Sequence, residues 1–230
     1  MRLLVLTSIY PPQQTGGYEL LCAEHVEWLM GRGHEVTVVT STLGLSDGLP
    51  VRETGAAGET VVRCLELHVR GFLEPHPPNL ARVWASERRQ REALRRAVEQ
   101  ARPEAALVWG MASVSKSLLQ VLNDLAVGLV AVVGEQWPVH GLRSDPWLRL
   151  WRRAGRLPLG GGASRWAARV FAPTDVSRAM TDILPLYVSR SLQAEVESGQ
   201  PLWRGRGRVV PNGIRTELFR RPRDPAQPLH

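Results

Sequence analysis

Residues 2–40, RLLVLTSIYPPQQTGGYELLCAEHVEWLMGRGHEVTVVT, decide the architecture. Residues 2–9 form a continuous apolar run of strand length that stops at Pro11 and Pro12, the pattern of a parallel strand covered on both faces. After Gly16 and Gly17, Leu21, Val26, Leu29 and Met30 recur at helical spacing, and Gly31 and Gly33 end the helix over residues 18–30. Residues 35–40 (EVTVVT) form a second strand. Strand, glycine loop, helix, glycine, strand is a βαβ unit, whose crossover is right-handed.

The alternation continues outward. Strands are expected over residues 60–67, 105–109, 128–133 and 169–172, with helices over 81–101, 113–125 and 189–197. Such an order predicts an α/β fold, a parallel sheet of six or more strands with helices on both faces, opening after Ile9. Residues 43–60 and 72–79 read as Gly- and Pro-rich loops and residues 160–162 as a flexible joint.

Composition narrows the class. The chain has 230 residues, 43% of them hydrophobic, enough for one fair-sized globular core, which excludes a collagen or a disordered tail, and its two cysteines are too few for a disulfide-stapled miniprotein. Cys22 and Cys64 fit free thiols in a reducing cytoplasm, and no stretch reaches eighteen apolar residues. The net charge is +7, but 28 of the 29 basic residues are Arg, which reads as a genomic preference rather than a nucleic-acid footprint. The single lysine is Lys116. Basic residues gather over 143–169 and 202–223, each with seven Arg against one acid.

In an open parallel sheet, ligands bind beyond the carboxyl ends of the strands. The residues there are 10–19, Ser41, 110–113 and 134–137. Gly16 and Gly17 remove side chains ahead of a helix whose first N–H groups and positive dipole end suit a phosphate. The plainer alternative is a tight turn from strand to helix. The dinucleotide fingerprint is absent, but Gly110 with Ser115, Lys116 and Ser117 matches a P-loop except for Ser in place of its second Gly, so a nucleotide-binding reading stays open beside a simple helix cap. Cys22 with His25 and Cys64 with His68 have ligand-like spacing, with packing as the default and no metal expected. Residues 146–154 (PWLRLWRRA) place Trp147, Leu150 and Trp151 on one helical face, with Arg149, Arg152 and Arg153 elsewhere. This is a short basic amphipathic helix suited to an anionic membrane or, alternatively, to packing on the sheet.

Taken together these strings resemble the N-terminal half of a glycosyltransferase family 4 enzyme with the GT-B fold. The resemblance runs through Tyr10-Pro11-Pro12, Gly16-Gly17-Tyr18-Glu19, Arg32-Gly33-His34-Glu35-Val36, Val108-Trp109-Gly110-Met111 with Ser115, Trp137 with Asp145-Pro146-Trp147, and Val209-Val210-Pro211-Asn212-Gly213-Ile214 with Phe219. It implies a Rossmann-like domain over residues 1–210 and an interdomain segment over 211–230 leading to a C-terminal, donor-binding domain that is expected to lie outside these 230 residues, with a separate donor-binding chain as one source of it. It implies metal-free, retaining transfer of a sugar from a nucleotide diphosphate-sugar, a co-substrate rather than a cofactor, to a glycan or lipid-linked acceptor. By the same resemblance Gly16 and Gly17 approach the donor phosphates, and Tyr18, Glu19, Trp109, Gly110, Glu135, Gln136 and Trp137 hold the acceptor. Relatives carry Asp or His in the turn before the Trp; here Glu135 and Gln136 stand in that turn and are the catalytic candidates. The implied setting is cytoplasmic, with peripheral contact at the inner membrane face through Trp147, Arg149, Trp151, Arg152 and Arg153, and without nucleic acid. The alternatives are a noncatalytic remnant or binding domain of the same fold and the P-loop-like nucleotide binder. A second chain region is expected to be needed for turnover.

Overall fold

The computed structural model describes residues 1–45, 50–67, 80–149, 176–213 and 216. Along the chain run β1 (Arg2–Leu6), α1 (Gly17–Gly31), β2 (Glu35–Ser41), β3 (Val51–Thr54), β4 (Thr60–Leu65), α2 (Leu80–Ala101), β5 (Ala105–Val108), α3 (Ser117–Asp124) and β6 (Gly128–Val133). A π-type turn at Trp137–Gly141 leads into α4 (Leu142–Ser144), and α5 (Val176–Asp182), β7 (Leu184–Tyr187), α6 (Arg190–Gly199) and β8 (Arg208–Val209) follow. The strands form one eight-stranded sheet in the order β3-β4-β2-β1-β5-β6-β7-β8. Every neighbouring pair is parallel except β3 with β4.

The uninterrupted apolar run of β1 is explained by its place at the centre. Successive side chains alternate between the two faces of a strand. Leu3 and Val5 pack with Cys22 and Val26 of α1, while Leu4 and Leu6 pack with Leu94 and Val98 of α2 and with Leu118 and Leu122 of α3. Helix α1 ends where Gly33 takes φ +80°, a left-handed conformation that favours glycine, and donates its N–H to the Met30 carbonyl at 2.9 Å. At the other end of the domain Ser189 caps α6 by accepting the Leu192 N–H at 3.2 Å.

The structure departs from the sequence reading in three described places. Residues 51–54, read as part of a loop, form the antiparallel edge strand β3, with Glu53 paired to Val61 in register. Helix α5 and strands β7 and β8 were not foreseen. Helix α3 begins at Ser117 rather than at residue 113, because Val114, Ser115 and Lys116 are buried in the turn that precedes it. The expected strand at 169–172, the joint at 160–162 and the loop at 72–79 lie outside the described residues, as does most of the segment over 211–230.

A buried acid ties α2 to α3. Glu87 is 2% exposed, and the Ser117 hydroxyl donates to its Oε1. Burial first, and the charge of Asp145 second, push this carboxyl up to about 8, against the opposing effects of the Ser115 hydroxyl and Arg91. Between the ordinary value of 4.5 and about 8 the folded protein therefore holds a proton that the unfolded chain has released. The stability this group gives is complete below pH 4.5 and is lost as the pH rises through about 8. A neutral isostere escapes that loss, so Glu87→Gln is expected to flatten the decline in urea-unfolding stability from pH 5 to 8. The difference should reach a few kcal/mol at pH 8, since each unit is worth about 1.4 kcal/mol. Equal slopes in the two proteins would contradict the assignment.

Candidate functional site

The order of strands reverses beside β1, whose neighbours are β2 on one side and β5 on the other. The crevice beyond Leu6 and Val108 is therefore the place where this architecture holds a ligand. Three loops meet there. The first follows β1 and carries Ser8, Tyr10, Gly16 and Gly17, the second follows β5 with Trp109 and Gly110, and the third follows β6 with Gly134, Glu135 and Gln136.

Tyr18 fastens the three together. Its hydroxyl lies 2.7 Å from the Trp109 carbonyl oxygen and 2.8 Å from that of Val132, donating to one of them, and it accepts the Gly134 N–H at 3.3 Å. Trp109 Nε1 donates to the Tyr18 carbonyl at 3.2 Å. The tyrosine ring presses on glycines at both ends of the crevice: a Cβ on Gly134 would come within 2.4 Å of it, and one on Gly110 within 3.2 Å. Gly134→Ala is accordingly expected to cost about 1–3 kcal/mol by overpacking, measurable as a lower urea midpoint. A midpoint equal to that of the wild type would remove Tyr18 as the fastening.

Gly16 and Gly17 behave differently. Gly16 is extended, a Cβ on it would meet only Glu19 Oε2 at 3.9 Å, and one on Gly17 would meet nothing within 4 Å. Neither the backbone nor the packing of this chain demands glycine there. Glu19 closes back on the helix end, accepting the Gly16 N–H at 2.9 Å and the Thr15 hydroxyl at 3.0 Å, so its carboxylate serves α1 itself. The first-turn N–H groups of α1 still have no acceptor within the helix, as at any helix start.

The two catalytic candidates separate. The Gln136 amide donates to Glu195 on α6 and is committed within the protein. Glu135 makes no hydrogen bond or short ion pair among the described residues. Its Oε1 and the Ser8 Oγ each lie 3.7 Å from where a Cβ on Gly110 would sit, so both flank the glycine at the crevice floor. Burial is the main influence on the Glu135 carboxyl and raises it above the ordinary carboxylate value; Lys116 pulls it down and Glu19 pushes it up.

Most of the remaining expected residues are buried in the packing of the domain. Trp109 is 1% exposed and stacks near His25, with ring centroids 4.8 Å apart, and Trp137 is buried edge-on against Trp203 at 5.8 Å. Neither presents an exposed face to an acceptor. Ser41 is buried at the end of β2. The P-loop expectation does not fit the observed geometry, because the Lys116 ammonium is buried and donates to the carbonyls of Ala112 at 3.1 Å and Val114 at 2.8 Å, which leaves it no reach to a phosphate. Trp147 departs from the membrane expectation: it is 5% exposed and packs with Val83, Leu148, Trp84 and Leu142. Arg149 is exposed, while Trp151, Arg152 and Arg153 lie outside the described residues. Among the described residues no helix is long and apolar enough to cross a membrane. Cys22 is buried, and His25 Nδ1 pairs with the Leu21 carbonyl at 2.8 Å.

Sequence reasoning missed the group that holds the first loop. Arg63 of β4 is 2% exposed, pairs with Glu53 at 2.7 Å through Nε, and donates to the carbonyls of Tyr10 and Pro11. The Tyr10 hydroxyl donates to the buried Glu59 at 2.7 Å, and the burial of Tyr10 raises its phenol well above the ordinary value. The signal was an arginine inside the apolar run VVRCL, since a buried charge requires partners.

No family model matches the sequence, and no curated protein matches it. Solved structures do. The sucrose-phosphate synthase of Thermosynechococcus elongatus superposes over 95% of this chain and 50% of its own, with 12% identity and a TM-score of 0.55. The glycotransferase of kitacinnamycin superposes over 96% of this chain and 53% of its own, with 14% identity and a TM-score of 0.50. The chain thus spans about half the length of the solved structures it matches. Its eight-stranded α/β architecture is that of one Rossmann-like half of a GT-B glycosyltransferase.

Proposed function

We propose that the chain is the acceptor-side half of a retaining glycosyltransferase of the family 4 kind, moving a sugar from a nucleotide diphosphate-sugar to a glycan or lipid-linked hydroxyl. The observation that carries this reading is the Glu135 carboxylate, which makes no hydrogen bond or short ion pair among the described residues and shares the switch-point crevice with Ser8, while a Cβ at the α1 start, on Gly17, would meet nothing within 4 Å. In this scheme the helix start and its dipole receive the donor diphosphate, where negative charge grows as the sugar departs. Glu135 accepts a hydrogen bond from the acceptor hydroxyl and aligns it on the anomeric carbon. A second Rossmann-like half, on this polypeptide or supplied separately, binds the nucleotide. No metal takes part, so a chelator should leave the rate unchanged.

The test is transfer from UDP-, GDP- and ADP-sugars to a panel of glycan and lipid-linked acceptors, with a donor-binding half supplied in trans. Glu135→Gln is expected to lower kcat/KM about 10- to 100-fold, since hydrogen bonds to charged groups are worth roughly 1.5–3 kcal/mol. The ionised carboxylate accepts that bond more strongly than the neutral acid, and burial raises its pKa, so the acid limb of the wild-type rate should lie at a higher pH than an ordinary carboxylate would give. A glutamine variant with full transfer and an unchanged acid limb would sink the assignment.

A further inference from the structure

The crevice floor carries two polar side chains that the protein itself does not engage. Ser8, two residues beyond β1, and Glu135, two residues beyond β6, are both half-buried, and neither side chain makes a hydrogen bond or short ion pair among the described residues. Ser8 Oγ and Glu135 Oε1 each lie 3.7 Å from where a Cβ on Gly110 would sit, so the two oxygens are no more than twice that distance apart. Gly110 itself brings no side chain into the space between them. The pair is also held in place from below. The Ser8 N–H donates to the Gly110 carbonyl at 2.8 Å, which registers the first loop against the second. The Tyr18 hydroxyl ties the second loop to the third through the Trp109 and Val132 carbonyls and the Gly134 N–H. Both oxygens are therefore set in position before a ligand arrives, which lowers the ordering cost of binding.

We infer that Ser8 is a specificity-determining residue of this crevice: together with Glu135 it holds two adjacent hydroxyls, so that the acceptor is the vicinal diol of a sugar ring and not a lone alcohol. The inference rests on the acceptor role given to Glu135 above and names the substrate class that role serves. A carboxylate only accepts hydrogen bonds, whereas a serine hydroxyl both donates and accepts. One hydroxyl of the diol donates to Glu135, and its neighbour accepts the Ser8 O–H. Hydrogen bonds of about 2.8 Å on either side, with the width of a diol between them, span the whole separation that the two 3.7 Å distances allow; a single hydroxyl bridges only the closer part of that range. A lone alcohol therefore satisfies Glu135 and leaves Ser8 to water. A site arranged to bond a substrate hydroxyl discriminates against the analogue that lacks it. Because Ser8 is half-buried, water offsets part of the loss, and the discrimination is the size of one neutral hydrogen bond and not that of a sealed pocket.

The experiment needs no turnover. The full chain, labelled with 15N, is titrated with two probes that differ by one hydroxyl, trans-1,2-cyclohexanediol and cyclohexanol, while the backbone amide resonances of residues 8 and 110 are followed. The diol is expected to move both resonances along a saturable curve, and cyclohexanol to bind about 2- to 10-fold more weakly, the size of one neutral hydrogen bond. Ser8→Ala should bring the diol down to the affinity of cyclohexanol, whereas Ser8→Thr, which keeps a hydroxyl, should retain most of the preference. Equal binding of the diol and the alcohol, a preference that survives in Ser8→Ala, or resonances that neither probe moves would overturn the inference. In the transfer assay the same substitution should raise KM for a glycan acceptor more than it lowers kcat. Diol binding that depends on Ser8, without transfer from any donor, would uphold the subsite and reject the transferase reading. Transfer with an unchanged acceptor KM in Ser8→Ala would keep the transferase and overturn the subsite.

Discussion

Gly17→Val is expected to abolish sugar transfer, lowering kcat/KM by at least about 10²–10³-fold, the size of losing a preorganised donor to developing charge. The thermal midpoint of the domain should hardly move. Both halves of this expectation come from one observation, that a side chain at residue 17 would meet no protein atom within 4 Å. Overpacking cannot destabilise a position that borders open space, and a β-branched residue in the first helical turn costs only a fraction of a kcal/mol in propensity. The isopropyl group instead occupies the volume above the first-turn N–H groups, where the diphosphate is proposed to sit. Gly17→Ala should give a smaller loss, graded with size. Full transfer by a folded Gly17→Val protein would refute the phosphate role, and a collapsed thermal midpoint would show that the space is not open.

The residues that were readable and those that were not differ in how far their partners lie along the chain. β1, α1 and β2 were legible because two-sided burial writes a continuous apolar run and because glycines mark the turns. β7 was not, since LPLY carries a proline that argues against a central strand. It is tolerated because β8 pairs only with Leu186 and Tyr187, which leaves Pro185 without a ladder partner on that side. β3 is four residues on an exposed edge, too short to show a period. In the site, Glu135 was legible through its neighbours in the turn after β6, and Gly16 and Gly17 through their place before a helix. That Gln136 is committed within the protein depended on Glu195, 59 residues away, which no local pattern signals.

The same distance effect hides the latch on the first loop, and Arg63→Met should reveal it by a stability loss of about 2–4 kcal/mol. Methionine keeps much of the apolar stem of the buried side chain, so cavity formation adds little. What is lost is the guanidinium that bonds Tyr10 and Pro11 through their carbonyls, and each buried carbonyl stripped of a charged donor costs about 1–3 kcal/mol. The ion pair with Glu53 contributes less, because that carboxylate is 38% exposed and water takes over its charge. Glu53→Gln should therefore lower the urea-unfolding stability by no more than about 1 kcal/mol. Arg63→Lys should fall between the two, since an ammonium keeps the charge but cannot span three acceptors set around a planar fork. The loop that Arg63 holds leads directly to Gly16 and Gly17, so in Arg63→Lys the apparent KM for the nucleotide-sugar should rise more than kcat falls. Equal losses in Arg63→Met and Glu53→Gln would place the stabilisation in the ion pair and not in the latch on the backbone.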